Sequence, residues 1–263
     1  MRAQRGAQGP RSLPTRLAAL AALAALAWAG VTPAPAPAQT LEPARIAVYG
    51  ASGRMGSRLV TEALERGHYV TGIARAPAHI TARHERLSIA GGDILEPESV
   101  ARLVAGHDVV ISAVGGSNPD SDDPLLSVPR QAAESLVSAL RSLGAEAPRM
   151  MVVGGGSTTL DSAPGVPYLD PGDIPEGPRG VRMLGHRLAL EYLREISDVE
   201  WTFVSPALQM RPGERTGRFR TSRGLLIRDA EGVSAISMED LAAAMIDEVE
   251  DPKHIGSRLS AAY

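Results

Sequence analysis

Short apolar runs alternate along this chain with longer stretches in which apolar residues recur every third or fourth position. The runs at 45–49, 69–74, 87–90, 108–114, 149–153 and 201–206 read as strands, apolar on both faces as strands inside a sheet are. Between and after them, residues 57–66, 97–105, 130–143, 181–196 and 238–250 follow the helical period. In 130–143 the apolar face is Ala133, Leu136, Val137 and Leu140, and Gly144 ends it; in 181–196 it is Leu184, Leu188, Leu190 and Leu193. Strand and helix in alternation predict an α/β fold with a doubly wound parallel sheet. Three stretches break the pattern. Residues 118–129, with Pro119, Pro124 and Pro129, predict a loop at a pocket mouth, and 162–180, rich in Pro and Gly, a lid or substrate loop. Residues 207–237 predict a small C-terminal β excursion in which 218–221 and 225–227 flank Ser222-Arg223-Gly224 as a hairpin, and 257–263 predicts an edge strand.

Ahead of this pattern, Arg2, Arg5, Arg11 and Arg16 precede an uncharged run at 17–31 and an Ala36-Pro37-Ala38 exit. A basic start, a short apolar core and small residues at the exit predict a secretory signal cleaved after Ala38. The apolar run is short for a membrane span, which needs about 20 residues, so no span is expected after cleavage. On this reading 1–41 is signal peptide and short linker, 42–263 is a single domain, and the protein is exported to the periplasm. The alternative is a start codon placed too far upstream, which leaves the protein cytoplasmic. A length of 263 residues with 44% hydrophobic content suffices for one well-buried domain. Aromatics at 3% and a net charge of -3, with no basic block, argue against a nucleic-acid partner. The absence of cysteine removes disulfides, thiolate nucleophiles and cysteine metal sites. The six histidines are scattered and read as surface or loop residues, so no metal is expected.

The chemistry concentrates after the first strand, in Gly50-Ala51-Ser52-Gly53-Arg54-Met55-Gly56. Glycines spaced three apart permit a tight turn and close approach of backbone to a pyrophosphate, and the following helix offers free N–H groups and the positive end of its dipole. Strand, glycine loop, helix and second strand in that order predict a dinucleotide site built from Gly50, Ser52, Gly53, Arg54, Met55 and Gly56. The second strand ends on Arg75. In such a sheet this end lies beside the adenosine ribose, where an acidic residue suits a free 2′-hydroxyl and an arginine a 2′-phosphate. Arg75, with Arg54, therefore predicts NADP over NAD, against the alternative that Arg75 is a solvated strand end. Asp93 and Ile94, after the third strand, predict an adenine contact, with a turn or helix-cap role for Asp93 as a compatible alternative. Ala113, Val114 and Gly115, where the fourth strand empties into small residues, predict a cofactor wall, and Pro206 a position beside the nicotinamide. Ser157, after Gly154-Gly155-Gly156, is the candidate catalytic hydroxyl, placed to hydrogen-bond a substrate carbonyl or the nicotinamide amide. Its alternative is a serine serving only the shape of a glycine turn.

The chain from 44 to 263 resembles the atypical short-chain dehydrogenase/reductase group with NAD(P)H-binding domains, specifically its NADH-flavin reductases, and more distantly the biliverdin-IXβ/flavin reductases. The resemblance rests on the glycine loop together with Gly92-Asp93-Ile94-Leu95, Gly106-His107-Asp108-Val109-Val110, Trp201-Thr202-Phe203-Val204-Ser205-Pro206, Pro212-Gly213-Glu214-Arg215-Thr216-Gly217 and Ile236-Ser237-Met238-Glu239-Asp240. It implies a Rossmann sheet in order 3-2-1-4-5-6, with Arg75 near the 2′-phosphate and Ser157 near the nicotinamide. The Tyr-x-x-x-Lys pair of standard members is missing: Tyr168 is followed four residues on by Gly172, and Tyr192 by Ile196. Ketone or alcohol chemistry by that pair loses its acid–base group. Flavin reduction asks only that hydride donor and ring be stacked in line. Two functions fit the sequence: an NAD(P)H-dependent reductase of a flavin or similar flat small-molecule acceptor, and a non-catalytic NAD(P)-binding redox sensor or scaffold.

Overall fold

The computed structural model describes residues 42–116, 118 and 120–263. The predicted leader, Ser117 and Pro119 lie outside the described residues. In chain order the elements are β1 (Arg45–Tyr49), α1 (Arg54–Glu65), β2 (Tyr69–Ala74), β3 (Leu87–Gly91), α2 (Pro97–Val104), β4 (Val109–Ser112), α3 (Val128–Leu143), β5 (Arg149–Val153) and the single turn α4 (Gly156–Thr159). They continue with β6 (Asp161–Ala163), β7 (Val166–Pro167), α5 (Pro178–Arg194), β8 (Trp201–Pro206), β9 (Gln209–Arg211), β10 (Arg220–Ser222), β11 (Ala235–Ser237), α6 (Met238–Glu250) and β12 (Ser257–Ala262).

The main sheet has the order β10-β12-β8-β5-β4-β1-β2-β3. From β3 to β8 this is the doubly wound Rossmann order 3-2-1-4-5-6, with every pair parallel. Side-chain alternation divides β1 between the two faces. Ile46 and Val48 pack under α1 and α6 with Leu59, Leu241 and Met245. Ala47 and Tyr49 pack under α2, α3 and α5 with Val104, Leu136, Leu193 and Phe203. The start of α6 is written in its sequence: the Ser237 hydroxyl accepts from the Asp240 N–H at 2.9 Å, and Glu239 and Asp240 add negative charge to the first turn.

Several boundaries differ from the sequence expectation. Helix α1 begins at Arg54, because Gly53 takes the extended N-cap conformation, and this draws Arg54, Met55 and Gly56 into its first turn. Helix α5 begins at Pro178, whose fixed φ suits a first helical position, and the predicted lid shrinks to the β6–β7 hairpin and a short turn. The expected hairpin around Ser222-Arg223-Gly224 does not form. Instead β10 pairs antiparallel with β12, and Leu225 bridges to Asp161. Strand β12 is consequently interior, parallel to β8 and covered by β10, and its Leu259, Ala261 and Ala262 are buried. The histidines are not all superficial either. Buried His68 accepts from the Ala44 N–H and pairs with Glu250, and His254 pairs with Glu248 at 2.7 Å. Among the described residues no acidic, histidine or cysteine group could hold a metal ion, and no helix is long and apolar enough to cross a membrane.

Candidate dinucleotide cleft

The strands β1, β2 and β4 empty into a cleft of about 590 Å³ at their C-terminal ends, the edge where ligands of open α/β sheets collect. Its centre is the glycine loop. Gly50 turns with φ 77°, and its N–H and that of Ala51 both donate to the Ile73 carbonyl of β2. A Cβ on Gly50 would stand 2.8 Å from the Ala113 carbonyl oxygen, and one on Gly56 would stand 2.0 Å from the Gly50 carbonyl oxygen. Glycine at these two positions is thus required by approach distances, which clamp the loop against β4 and α1 against the loop. No side chain caps α1, and its first turn holds no acidic residue, so its positive end is left for an anion.

Gly50, Ser52, Gly53, Arg75, Asp93, Ile94, Ala113, Val114 and Gly115 all line this cleft. Arg75 is exposed and makes no hydrogen bond or ion pair among the described residues. Asp93 carries part of its turn role, since one carboxylate oxygen accepts from the Leu95 N–H at 3.0 Å. Arg54, Met55, Gly56, Ser157 and Pro206 do not line the cleft. Met55 is 7% exposed and belongs to the core under α1, and Arg54 is exposed on the first helical turn. Ser157 and Pro206 sit together further along the sheet edge, where a Cβ on Gly156 would meet the Pro206 carbonyl oxygen at 2.3 Å. In that turn the Thr158 hydroxyl donates to the Met183 carbonyl and the Thr159 hydroxyl to Ser205. Ser157, partly buried, makes no such bond among the described residues.

Asn118, Asp120 and Val128, from the segment expected at the pocket mouth, do line the cleft, and Tyr49 and Gln131, which the sequence does not mark, join them. Gln131 reads in the sequence only as a polar position on a helix, and it stands in the first turn of α3 at the cleft. The Tyr49 ring is buried and its hydroxyl unpaired. Burial pushes its pKa up, Asp93 pushes it further, and Arg102 opposes them, so this phenol stays protonated.

Two of the motifs behind the family resemblance are structural clamps. Asp240, fully buried, accepts from the Thr216 N–H and hydroxyl, the Gly217 N–H and the Tyr263 hydroxyl. Glu239 accepts from the Gly213 N–H and from Arg58 of α1, and Arg215 grips Glu62 through two bonds. The segment 212–217 therefore ties α1 to α6. Burial would raise the carboxyl pKa values of Glu62, Glu239 and Asp240, but these donors outweigh it and hold all three below the ordinary range.

The profile of the NAD(P)H-binding family matches residues 50–252. The chain belongs to that family. Among solved structures, a Burkholderia pseudomallei protein named "putative exported protein" is 40% identical, with a TM-score of 0.70 over 84% of this chain and 100% of its own. A Bacteroides thetaiotaomicron protein named "putative epimerase" is 37% identical, with a TM-score of 0.70 over 84% of this chain and 98% of its own. A Streptococcus pneumoniae protein named "putative NADH-flavin reductase" is 30% identical, with a TM-score of 0.67 over 83% of this chain and 99% of its own. These relatives agree with the atypical short-chain dehydrogenase/reductase group that the motifs resemble. The NAD(P)H-binding family member described here thus has an oxidoreductase-type fold and takes a small-molecule ligand. Its cleft is compatible with that ligand: clamped glycines leave its backbone open to close approach, α1 begins there without a side-chain cap, and Arg75, with no partner among the described residues, lines its wall at the end of β2.

Proposed function

We propose that this protein is an NADPH-dependent reductase of a flavin or a similarly flat acceptor. The observation that carries the reading is the unpaired Arg75 on the cleft wall, at the strand end where a 2′-phosphate would lie. When bound, the dihydronicotinamide supplies a hydride; the chain's own work is to bind, orient and exclude water. The α1 N-terminus and the Gly50–Gly53 backbone hold the pyrophosphate, Arg75 the 2′-phosphate, and Asp93 and Ile94 the adenine. Ala113, Val114 and Gly115 give a flat wall past which the redox ring runs toward Ser157 and Pro206, where the Ser157 hydroxyl is free to donate to its amide or to the acceptor.

The acid–base chemistry of a Tyr–Lys pair is not required. The chain's sole lysine, Lys253, pairs with Asp251 at 2.6 Å just before β12, at the opposite end of the sheet from the cleft. Hydride transfer between stacked rings depends mainly on alignment. A 39–263 protein exported after cleavage behind Ala38 completes the proposal, in keeping with the name of the Burkholderia relative. Oxidation of NADPH by the purified protein, followed with flavins, quinones and tetrapyrroles as acceptors, tests the reading. Acceptor-dependent oxidation is the expected result. Tight NADPH binding without oxidation by any of them would instead establish the sensor, a reading favoured by the lack, among the described residues, of a base bonded to Ser157.

A further inference from the structure

Away from the dinucleotide cleft, a small cavity of about 40 Å³ opens between α5, the α4 turn, β6 and β12. It shares no lining residue with the cleft. Among the described residues three arginines line it, Arg187 and Arg194 from α5 and Arg258 from β12, with the carboxylates of Asp161 and Glu191. Both acids are already committed. Asp161, buried, accepts two bonds from Arg258, and Glu191 pairs with Arg187 at 2.9 Å. Arg194 is left over and makes no hydrogen bond or ion pair among the described residues. The cavity therefore carries one positive charge more than it carries negative ones.

Arg194 is an exposed residue, but its charge is not that of a cation standing free in water. Burial and the neighbouring Arg258 hold its pKa below the usual guanidinium range, Arg187 adds to the depression, and Asp161 and Glu191 oppose it. Arg258, whose side chain is 12% exposed, spends its donors on the fold: Nη1 on the Thr159 carbonyl at 2.7 Å and on Asp161, Nη2 on Asp161. One N–H of Nη2 is left, and all five of Arg194. Two guanidinium groups that share a cavity with no anion between them repel, and an oxyanion seated there turns that repulsion into charge-assisted hydrogen bonds. We propose that Arg194 and Arg258 bind a compact oxyanion in this cavity, either the free ion or the phosphate head of a small organic molecule.

The size and place of the site say what such a ligand does. A volume of about 40 Å³ admits an oxyanion head and no nucleoside, so the ligand is not a second dinucleotide. Thr158 and Thr159 line the cavity and directly follow Ser157, and the Thr159 carbonyl is already held by Arg258. The bound anion is therefore an effector of the turn that presents Ser157, and it can be present together with the cofactor. Binding of this kind needs no turnover and holds equally for a reductase and for a sensor.

The test follows backbone amides of the isotope-labelled full chain by NMR, with NADP+ at saturation so that the cofactor's own phosphates occupy the cleft. Inorganic phosphate is added at constant ionic strength. The amides of Ser157, Thr158 and Thr159 are expected to shift together, with one dissociation constant in the millimolar range that Arg194→Gln weakens about tenfold or more. Arg194→Lys, which keeps the charge and loses the planar fork, is expected to recover part of that loss. The remaining amide signals show that each variant is folded. Methyl phosphate titrated alongside identifies the source: equal binding marks the head of an esterified ligand, and binding of inorganic phosphate alone marks the free ion. Amides of 157–159 that stay still, or that shift with the same dissociation constant in Arg194→Gln, would overturn the inference. Phosphate binding in a protein that oxidises no NADPH would leave the site standing and remove only the reductase reading.

Discussion

The Gly50 carbonyl oxygen lies 2.0 Å from where a Cβ on residue 56 would stand. The last glycine of the loop is therefore the contact that seats α1 against the turn, and it governs how the helix N-terminus is aimed. Gly56→Ala forces backbone against backbone, with no flexible side chain to give way. The expected result is a destabilisation of about 1–3 kcal/mol in denaturant unfolding, together with a marked loss of NADPH affinity in a fluorescence titration. Unchanged affinity would show that α1 does not face the pyrophosphate.

The pairing of Asp240 with Thr216, Gly217 and Tyr263 makes a different prediction, one about stability. Removing the carboxylate strands four donors at once. Asp240→Ala is expected to cost about 3 kcal/mol or more in denaturant unfolding, with NADPH affinity of the folded protein little changed. The parent should also carry a matching acid limb. A carboxyl held below its unfolded value of 3.8 contributes stability that is present above that value and lost as pH falls through the lower folded value. Unfolding at a series of pH values should show that loss in the parent, and a shallower one in Asp240→Ala.

Much of this architecture is legible in the chain, for physical reasons that also explain what is not. The strands at 45–49, 69–74, 149–153 and 201–206 and the helix at 238–250 match the structure, because runs buried on both faces and a Ser237 cap are local signals. The partner of β12 is not local: it depends on which strand edge is left uncovered, so the hairpin expected around Gly224 gave way to the β10–β12 pair. The tight glycine loop is legible because glycine spacing encodes approach distance. Gln131 is not, since it looks like an ordinary polar position on an amphipathic helix and is found at the cleft only in the fold.

The leader supplies a third prediction. When the full chain is expressed in a bacterium with a periplasm, the mature protein is expected to begin at Gln39. N-terminal sequencing of the periplasmic fraction checks this. An intact N-terminus in the cytoplasm would favour the upstream start-codon alternative.

Steady-state turnover with a flavin acceptor reads out whether Arg75 binds a 2′-phosphate in a working reductase. The parent should oxidise NADPH in preference to NADH. Arg75→Asp should lose about 1.5–3 kcal/mol, roughly 10- to 150-fold, in kcat/KM for NADPH while leaving NADH nearly untouched. Equal losses for both cofactors would take the 2′-phosphate away from Arg75, and no flavin-dependent oxidation by the parent would rule out a flavin reductase.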